Sequence, residues 1–148
     1  MVAKPAYQRV KPPKSLNLFE TLFATKMRRL KPEDVFAVHP GIRFAGLASR
    51  NGQVLFAEMR EGIVSHTPES IDRTGLEDHG RYFIKTAEEE VKWSGSLEHI
   101  AVTYEKYVVV YVPLAEKYVL ISLEKSVPAE SYTSICKAIR ALDLKKQD

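Results

Sequence analysis

The residues that could do acid–base or metal chemistry are few and lie far apart along the chain. None of the four histidines has the spacing of a metal-binding pair; they are His39, His66, His79 and His99. Asp78 and His79 are adjacent, but adjacent side chains on a helix point away from each other, so they form no catalytic dyad. The sequence therefore predicts structural or surface histidines, with no metal and no other cofactor.

The other reactive groups have structural explanations. Cys136 is the only cysteine, and it lies on the apolar stripe of a predicted helix, which favours a small core residue over a nucleophile. Residues 41–46 lack the G-x-G-x-x-G pattern of a phosphate-binding loop. The carboxylates of residues 88–90 spread around a helix and indicate a solvated face. Because the parts of a catalytic site are missing, the sequence predicts that the protein is not an enzyme.

Positive charge is concentrated in the first fifth of the chain. Residues 1–31 contain eight basic residues and one acid, a net charge of +7, whereas residues 32–148 contain 14 basic and 18 acidic residues, a net charge of −4. A basic segment beside an acidic body is typical of tails that bind anionic partners. The candidate polyanion-binding residues are Lys4, Arg9, Lys11, Lys14, Lys26, Arg28, Arg29 and Lys31. Two alternatives stay open, namely a solubilising tail and cations that complement the end of a helix dipole.

The composition is that of one globular domain with a short arm. At 148 residues, 45% of them hydrophobic, the chain is long enough to bury its own core. No apolar run approaches the roughly 20 residues of a membrane helix, and the first residues have no apolar signal region. Three prolines indicate an extended arm over residues 1–14, followed by one domain over residues 15–148. We expect a cytoplasmic protein that does not insert into membranes.

The first half of the domain predicts a helix and a hairpin. Residues 17–30 have an amphipathic helical pattern, which Pro32 is expected to end. Two apolar segments, 42–49 and 53–59, flank Asn51-Gly52, the dipeptide that favours a two-residue type I′ turn. One face of this hairpin then contains Ile42, Phe44, Gly46, Ala48, Leu55, Ala57 and Met59, and the other contains Arg43, Ala45, Leu47, Val54, Phe56 and Glu58. Both faces need apolar cover, and the small residues would let a helix approach closely.

The second half predicts a helix, three strands and a last helix. The helix runs from Thr67 to about Trp93, with a break or kink near Gly75 and Gly80. Its apolar stripe is expected to contain Ile71, Gly75, His79, Phe83, Ala87 and Val91. Strands follow at 99–104, 107–112 and 118–124, and a last helix begins at residues 128–130 and ends near residue 146. The simplest packing of the five strands is a sequential antiparallel meander.

The order of elements, α-β-β-α-β-β-β-α, resembles that of the roadblock/longin group. The resemblance implies an α+β fold, a profilin-like three-layer α/β/α sandwich with a five-stranded antiparallel sheet. The residues Ile42 to Gly46, Asn51-Gly52 and Met59 to Gly62 also resemble the core of a small-protein family of ammonia-oxidising archaea, the Thaumarchaeota. The likeness covers about residues 16–142, of which only 42–62 is specific.

Three functions follow from these observations. The roadblock resemblance implies a non-enzymatic scaffold that forms a homodimer and binds a protein partner, of which a small GTPase is one kind. The candidate partner patch comprises Arg43, Leu47, Val54, Phe56, Arg60 and Glu61, although the charged members could equally form a strand-end ion pair. The second function is nucleic-acid or ribosome binding through residues 1–31. The third is a small-molecule sensor, for which the apolar faces offer no polar cluster.

Overall fold

Five strands and seven helical segments make up the described part of the chain. The computed structural model describes residues 29–147 and, before them, Leu18 alone. The strands are β1 (Ile42–Ser49), β2 (Val54–Met59), β3 (Ile100–Thr103), β4 (Tyr107–Pro113) and β5 (Lys117–Glu124). The α-helices are α1 (Pro32–Phe36), α2 (Glu69–Thr74), α3 (Gly80–Glu88), α4 (Val91–Ser94) and α5 (Tyr132–Gln147), with a π-helical turn at Gly75–His79 and a 3₁₀ turn at Ala129–Ser131. The predicted arm at 1–14 and nearly all of the predicted first helix lie outside the described residues.

The sheet is antiparallel throughout, in the order β2-β1-β5-β4-β3. The predicted α+β class with a five-stranded antiparallel sheet is confirmed, but the sequential meander is wrong because β1 pairs with β5. The reason is burial. β1 and β5 are covered along nearly their whole length, so they occupy the middle of the sheet, where both faces are covered. The short strand β3 is left at one edge and β2 at the other.

Helices cover both faces of the sheet, as the two apolar faces of the hairpin require. The terminal helix α5 packs on one face through Ile135, Cys136 and Ile139, all buried in one cluster with Leu47. Burial raises the pKa of the Cys136 thiol to about 11, in agreement with a core residue. The middle helix, formed by α2, the π turn and α3, covers the other face. A short helix that the sequence did not predict, α1, begins with Pro32 at its first position. A backbone N–H at that position has no partner within the helix, so a proline there costs no hydrogen bond.

The hairpin keeps the predicted register away from its turn and departs from it near the turn. Gly46 pairs with Ala57 as expected, but the ladder shifts between Leu47 and Ala48. The amide of Gly52 donates to the carbonyl of Ser49 at 2.8 Å, and Gly52 has φ 90°, so the loop has three residues rather than two. The irregularity puts Val54 and Leu55 on the faces of the sheet opposite to those predicted. Val54 packs with the cluster under the middle helix, and Leu55 packs with the cluster under α5. A second irregularity moves Ile42 to the α5 face as well.

The middle helix turns a different stripe toward the sheet than the one predicted. Its buried residues are Leu76, Gly80 and Ile84, one position away from the predicted stripe. The expected irregularity near the glycines is the π turn, which inserts an extra residue into the helical repeat. A Cβ on Gly80 would lie 2.6 Å from Cε2 of Tyr118, so the glycine lets the helix lie directly on the strand. Gly46 does the same opposite Leu76, which confirms the close approach expected at that position.

Candidate functional site

The six residues of the predicted partner patch do not share one surface. Leu47 has no exposed area and belongs to the core under α5, with Phe56 partly buried beside it. Val54 packs on the opposite face of the sheet. Glu61 is exposed after β2. Leu47 therefore contributes to the core of the single chain rather than to a surface that a partner could reach.

Arg60 holds three segments of its own chain together. Its Nε donates to the carbonyl of Ile42 at 2.7 Å, and its Nη2 donates to the carbonyls of Phe36 and His39 at 2.9 and 2.8 Å. The guanidinium carbon also lies 5.0 Å from the centroid of the Phe36 ring, a cation–π contact. These contacts fix α1 and the loop after it to the start of β1.

Arg43 forms a strand-end ion pair, but its partner is Glu124 rather than a member of the predicted patch. Its Nη1 lies 2.5 Å from Oε1 of Glu124, at the ends of two neighbouring strands. Its Nη2 donates to the carbonyl of Val64 at 2.8 Å and so fastens the loop after β2. Of the candidate polyanion-binding residues, only Arg29 and Lys31 fall within the described part of the chain, and both are partly buried there.

Within residues 29–147, the backbone of β3 pairs with another strand on one side only. The amide of Tyr104 donates to the carbonyl of Tyr107 at 2.9 Å, which makes these two residues a hydrogen-bonded pair of the β3–β4 ladder. Such pairs alternate along an antiparallel ladder, so the backbone groups of Val102 also face β4. Those of Ala101 and Thr103 consequently point away from the sheet at its edge. Both of these residues are exposed.

The β3 edge lacks the features that usually prevent strand pairing. Its sequence, Ile-Ala-Val-Thr, contains no charge and no proline, and its register with β4 is regular. The opposite edge, β2, carries the exposed carboxylate of Glu58 and follows an irregular register with β1. Of the two edges, β3 is therefore the less protected against pairing with another strand.

An exposed apolar flank of the middle helix lies beside this edge. Ile71 and His79 line the same cavity as Val102 of β3, whereas Arg81 reaches the opposite side, toward the carbonyl of Asn51. Ile71 is 52% exposed and Tyr82 is 65% exposed. The Phe83 ring stacks on His79 and meets the edge of the Tyr111 ring. We call Ile71, His79, Tyr82, Phe83 and residues 100–103 the β3–helix surface.

Sequence reasoning missed this surface for an identifiable reason. The stripe predicted as core (Ile71, His79, Phe83) is the flank that the structure leaves partly exposed, because the π turn and Gly80 direct Leu76 and Ile84 inward instead. The pair of glycines indicates an irregular helix, but the apolar pattern alone does not show which side chains the irregularity turns toward the sheet.

Solved structures share this fold, whereas no protein-family model and no curated protein matches the chain. A roadblock/LC7 domain from Streptomyces avermitilis superposes with a TM-score of 0.58 at 11% identity, over 78% of this chain and 91% of that domain. An MglB protein in a tetrameric arrangement has a TM-score of 0.54 at 13% identity, over 93% of this chain and 99% of its own. Profilin IB from Acanthamoeba castellanii has a TM-score of 0.50 at 6% identity, over 79% and 96%. At such identities the similarity establishes a roadblock/profilin-like fold.

Residues 29–147 contain neither a metal-binding cluster nor a membrane-spanning helix. No group of three or more histidine, cysteine, aspartate or glutamate side chains there is arranged to hold a metal ion. No helix in that range is long and apolar enough to cross a membrane.

Proposed function

We propose that this protein is a non-enzymatic adaptor that forms a homodimer through the β3–helix surface and binds a protein partner. The observation that carries the proposal is the unprotected edge of β3 beside exposed apolar side chains of the middle helix. Its support from known proteins is the roadblock-like fold, which an MglB protein in a tetrameric arrangement shares. The proposal includes a cytoplasmic location and an archaeal origin, the latter based on the resemblance of residues 42–62.

The geometry of β3 suggests how two copies would meet. Two identical β3 strands can pair antiparallel about a twofold axis at Val102, so that Ala101 of each copy faces Thr103 of the other. Since the backbone groups of both residues point outward, about four hydrogen bonds would form, each contributing about 1 kcal/mol. The exposed side chain of Ile71 lines the same cavity as Val102 and would lose its contact with water in such a dimer.

The partner is proposed to be a small GTPase, the class that the roadblock resemblance implies. Of the residues first considered for this role, Glu61 lies free on the surface, while Arg43 and Arg60 serve the fold as well. The alternative, nucleic-acid or ribosome binding through residues 1–31, is motivated by the net charge of +7 on that segment.

Affinity capture from a lysate of the source cells, after nuclease treatment, tests the proposal. The baits are the full chain, a chain lacking residues 2–14, and a full-length chain in which Lys4, Arg9, Lys11 and Lys14 are replaced by glutamine. Recovery of a GTPase by all three baits supports the adaptor function, provided that the purified GTPase binds the full chain saturably. Ribosomal or chromatin proteins recovered only by the unmodified chain would contradict it and assign the function to the arm.

A further inference from the structure

A cavity of about 110 Å³ lies between the middle helix and the sheet. It is close in size to an engineered protein cavity of about 150 Å³ that binds benzene. The π turn forms its roof, the loop after β2 forms one side, and β3, β4 and β5 form its floor. The residues used below are Asp72, Gly75, Tyr104, Tyr107, Tyr111 and Ser122, all of which line it.

Asp72 places a negative charge on the cavity lining, and within residues 29–147 no basic side chain forms an ion pair with it. The Asp72 carboxylate accepts a hydrogen bond from the Ser65 hydroxyl at 2.9 Å and another from the Thr67 hydroxyl. Arg43 lines the cavity and pairs with Glu124 at 2.5 Å, and the imidazoles of His66 and His79 are the other basic groups on the lining. Two hydroxyl donors orient the carboxylate without removing its charge, and each carboxylate oxygen retains a free lone pair.

Much of the remaining lining is aromatic or apolar, with the Ser122 hydroxyl on the floor and the His66 ring stacked on Tyr107, the ring centroids 5.5 Å apart. Tyr104 and Tyr107 lie with ring centroids 5.4 Å apart at the mouth, and Tyr111 stands deeper. Asp72 and Tyr107 line the same cavity, and the pKa of Tyr107 is raised by its burial and by the charges of Tyr104 and Asp72. Tyrosine faces attract organic cations, and a carboxylate adds direct charge pairing.

The space is a built feature of the helix. A Cβ on Gly75 would meet nothing nearer than the Tyr111 hydroxyl oxygen at 3.9 Å. Close packing therefore does not require a glycine at this position, and its missing side chain enlarges the cavity. The Tyr111 hydroxyl donates to the Gly75 carbonyl at 3.0 Å and holds the roof in place. The π turn begins at this residue, and such turns are frequent at functional sites.

We propose that this cavity binds a small organic ammonium ion, with its apolar, ring-sized body under Gly75 and its charge beside Asp72 and the tyrosine rings. A neutral analogue would keep only the apolar contacts. A carboxylate analogue would be repelled by Asp72. The cavity shares Ile71, His79 and Val102 with the β3–helix surface, whereas Asp72, Gly75 and Ser122 belong to the cavity lining alone.

A series of three probes of one shape tests the charge preference. Benzylamine, benzyl alcohol and benzoate are titrated into the ¹⁵N-labelled full chain at pH 7 and followed by amide chemical shifts. Benzylamine is expected to give saturable shifts around Gly75, Val102 and Ser122, with a Kd of about 1 mM or lower and at least tenfold below that of the other two. Equal binding of the three probes, or no saturable shift at these amides up to about 10 mM, overturns the proposal.

Matched variants locate the interaction. Asp72→Asn is expected to abolish the preference for the amine, whereas Asp78→Asn, which removes the same charge from an exposed position on the same helix, leaves it unchanged. Gly75→Val fills the cavity and is expected to weaken benzylamine binding at least tenfold. A loss of preference in both aspartate variants would mean a general charge effect and would refute the site. The wild-type shifts decide the question even if a variant does not fold.

Discussion

Two buried tyrosines complete the hydrogen bonding of the middle helix at its π turn. Tyr111 donates to the carbonyl of Gly75, and Tyr118 donates to the carbonyl of Leu76. Both phenols lie under the helix, where burial disfavours the phenolate and raises the pKa of each hydroxyl. These hydroxyl groups therefore act as neutral donors from the sheet to the helix.

This arrangement predicts a loss of stability at alkaline pH. The pKa of Tyr118 is raised from 10.0 to about 12, so the folded chain keeps a proton that the unfolded chain releases. The contribution is complete below about pH 10 and is lost between about pH 10 and 12, a decrease on the order of 2 kcal/mol in the free energy of unfolding. Urea denaturation followed by circular dichroism across this range measures it.

Tyr118→Phe is the control for the alkaline effect. It is expected to cost about 1 kcal/mol at pH 7, through the lost hydrogen bond, and to show a smaller decrease above pH 10. Tyr107, Tyr111 and Cys136, whose pKa values are also raised, contribute to the decrease that remains. The same decrease in the variant and the wild type would contradict the role given to Tyr118.

Individual residues differ in how far the sequence predicts them. The burial of Cys136 follows from its place on an apolar stripe, since period alone defines the inner face of a helix. The role of Arg60 does not follow, because its three carbonyl acceptors lie 18 to 24 residues away along the chain. Only the packing of α1 against the start of β1 brings them together.

At the scale of elements, two glycines of the middle helix have opposite effects on its packing. Gly80 has no room for a Cβ, which would lie 2.6 Å from Tyr118 and 3.0 Å from Tyr111. Gly75 has room, since the nearest atom would be 3.9 Å away. Both residues have the right-handed helical backbone that alanine also adopts.

Gly80→Ala is therefore expected to destabilise the protein by about 1–3 kcal/mol, because the helix must move away from the tyrosine rings. Gly75→Ala is expected to leave the stability unchanged or to raise it by up to about 1 kcal/mol, through the better helix propensity of alanine. Urea unfolding of both variants measures the difference. Equal effects of the two substitutions would show that the close approach at Gly80 is not a constraint.

The hairpin shows which part of an element a pattern can predict. Its register between Phe44 and Leu47 follows from the alternation of apolar residues, and the structure confirms it. The turn does not follow, because Asn51-Gly52 is compatible with more than one loop length. In the folded protein Gly52 lies against the middle helix, where a Cβ would be 2.8 Å from the Glu77 carbonyl oxygen, so tertiary contacts contribute to the geometry of the turn.

At the scale of the whole molecule, the strand order is the feature that local patterns predict least well. Each strand and its approximate bounds follow from composition, and the α+β class follows from their order along the chain. The pairing of β1 with β5 joins residues 68 to 81 positions apart, and it is selected because both strands need cover on two faces. This pairing leaves β3 at an edge and thereby creates the surface assigned to the dimer.

The oligomeric state is the most direct test of this assignment. Sedimentation equilibrium of the full chain at roughly tens of micromolar is expected to give twice the chain mass of 16.8 kDa. Ala101→Pro removes an outward-facing amide without touching the β3–β4 ladder and is expected to give a monomer, whereas Ala101→Thr keeps that amide and is expected to remain a dimer. A wild-type monomer at these concentrations, or a dimer that persists in folded Ala101→Pro, would contradict the account.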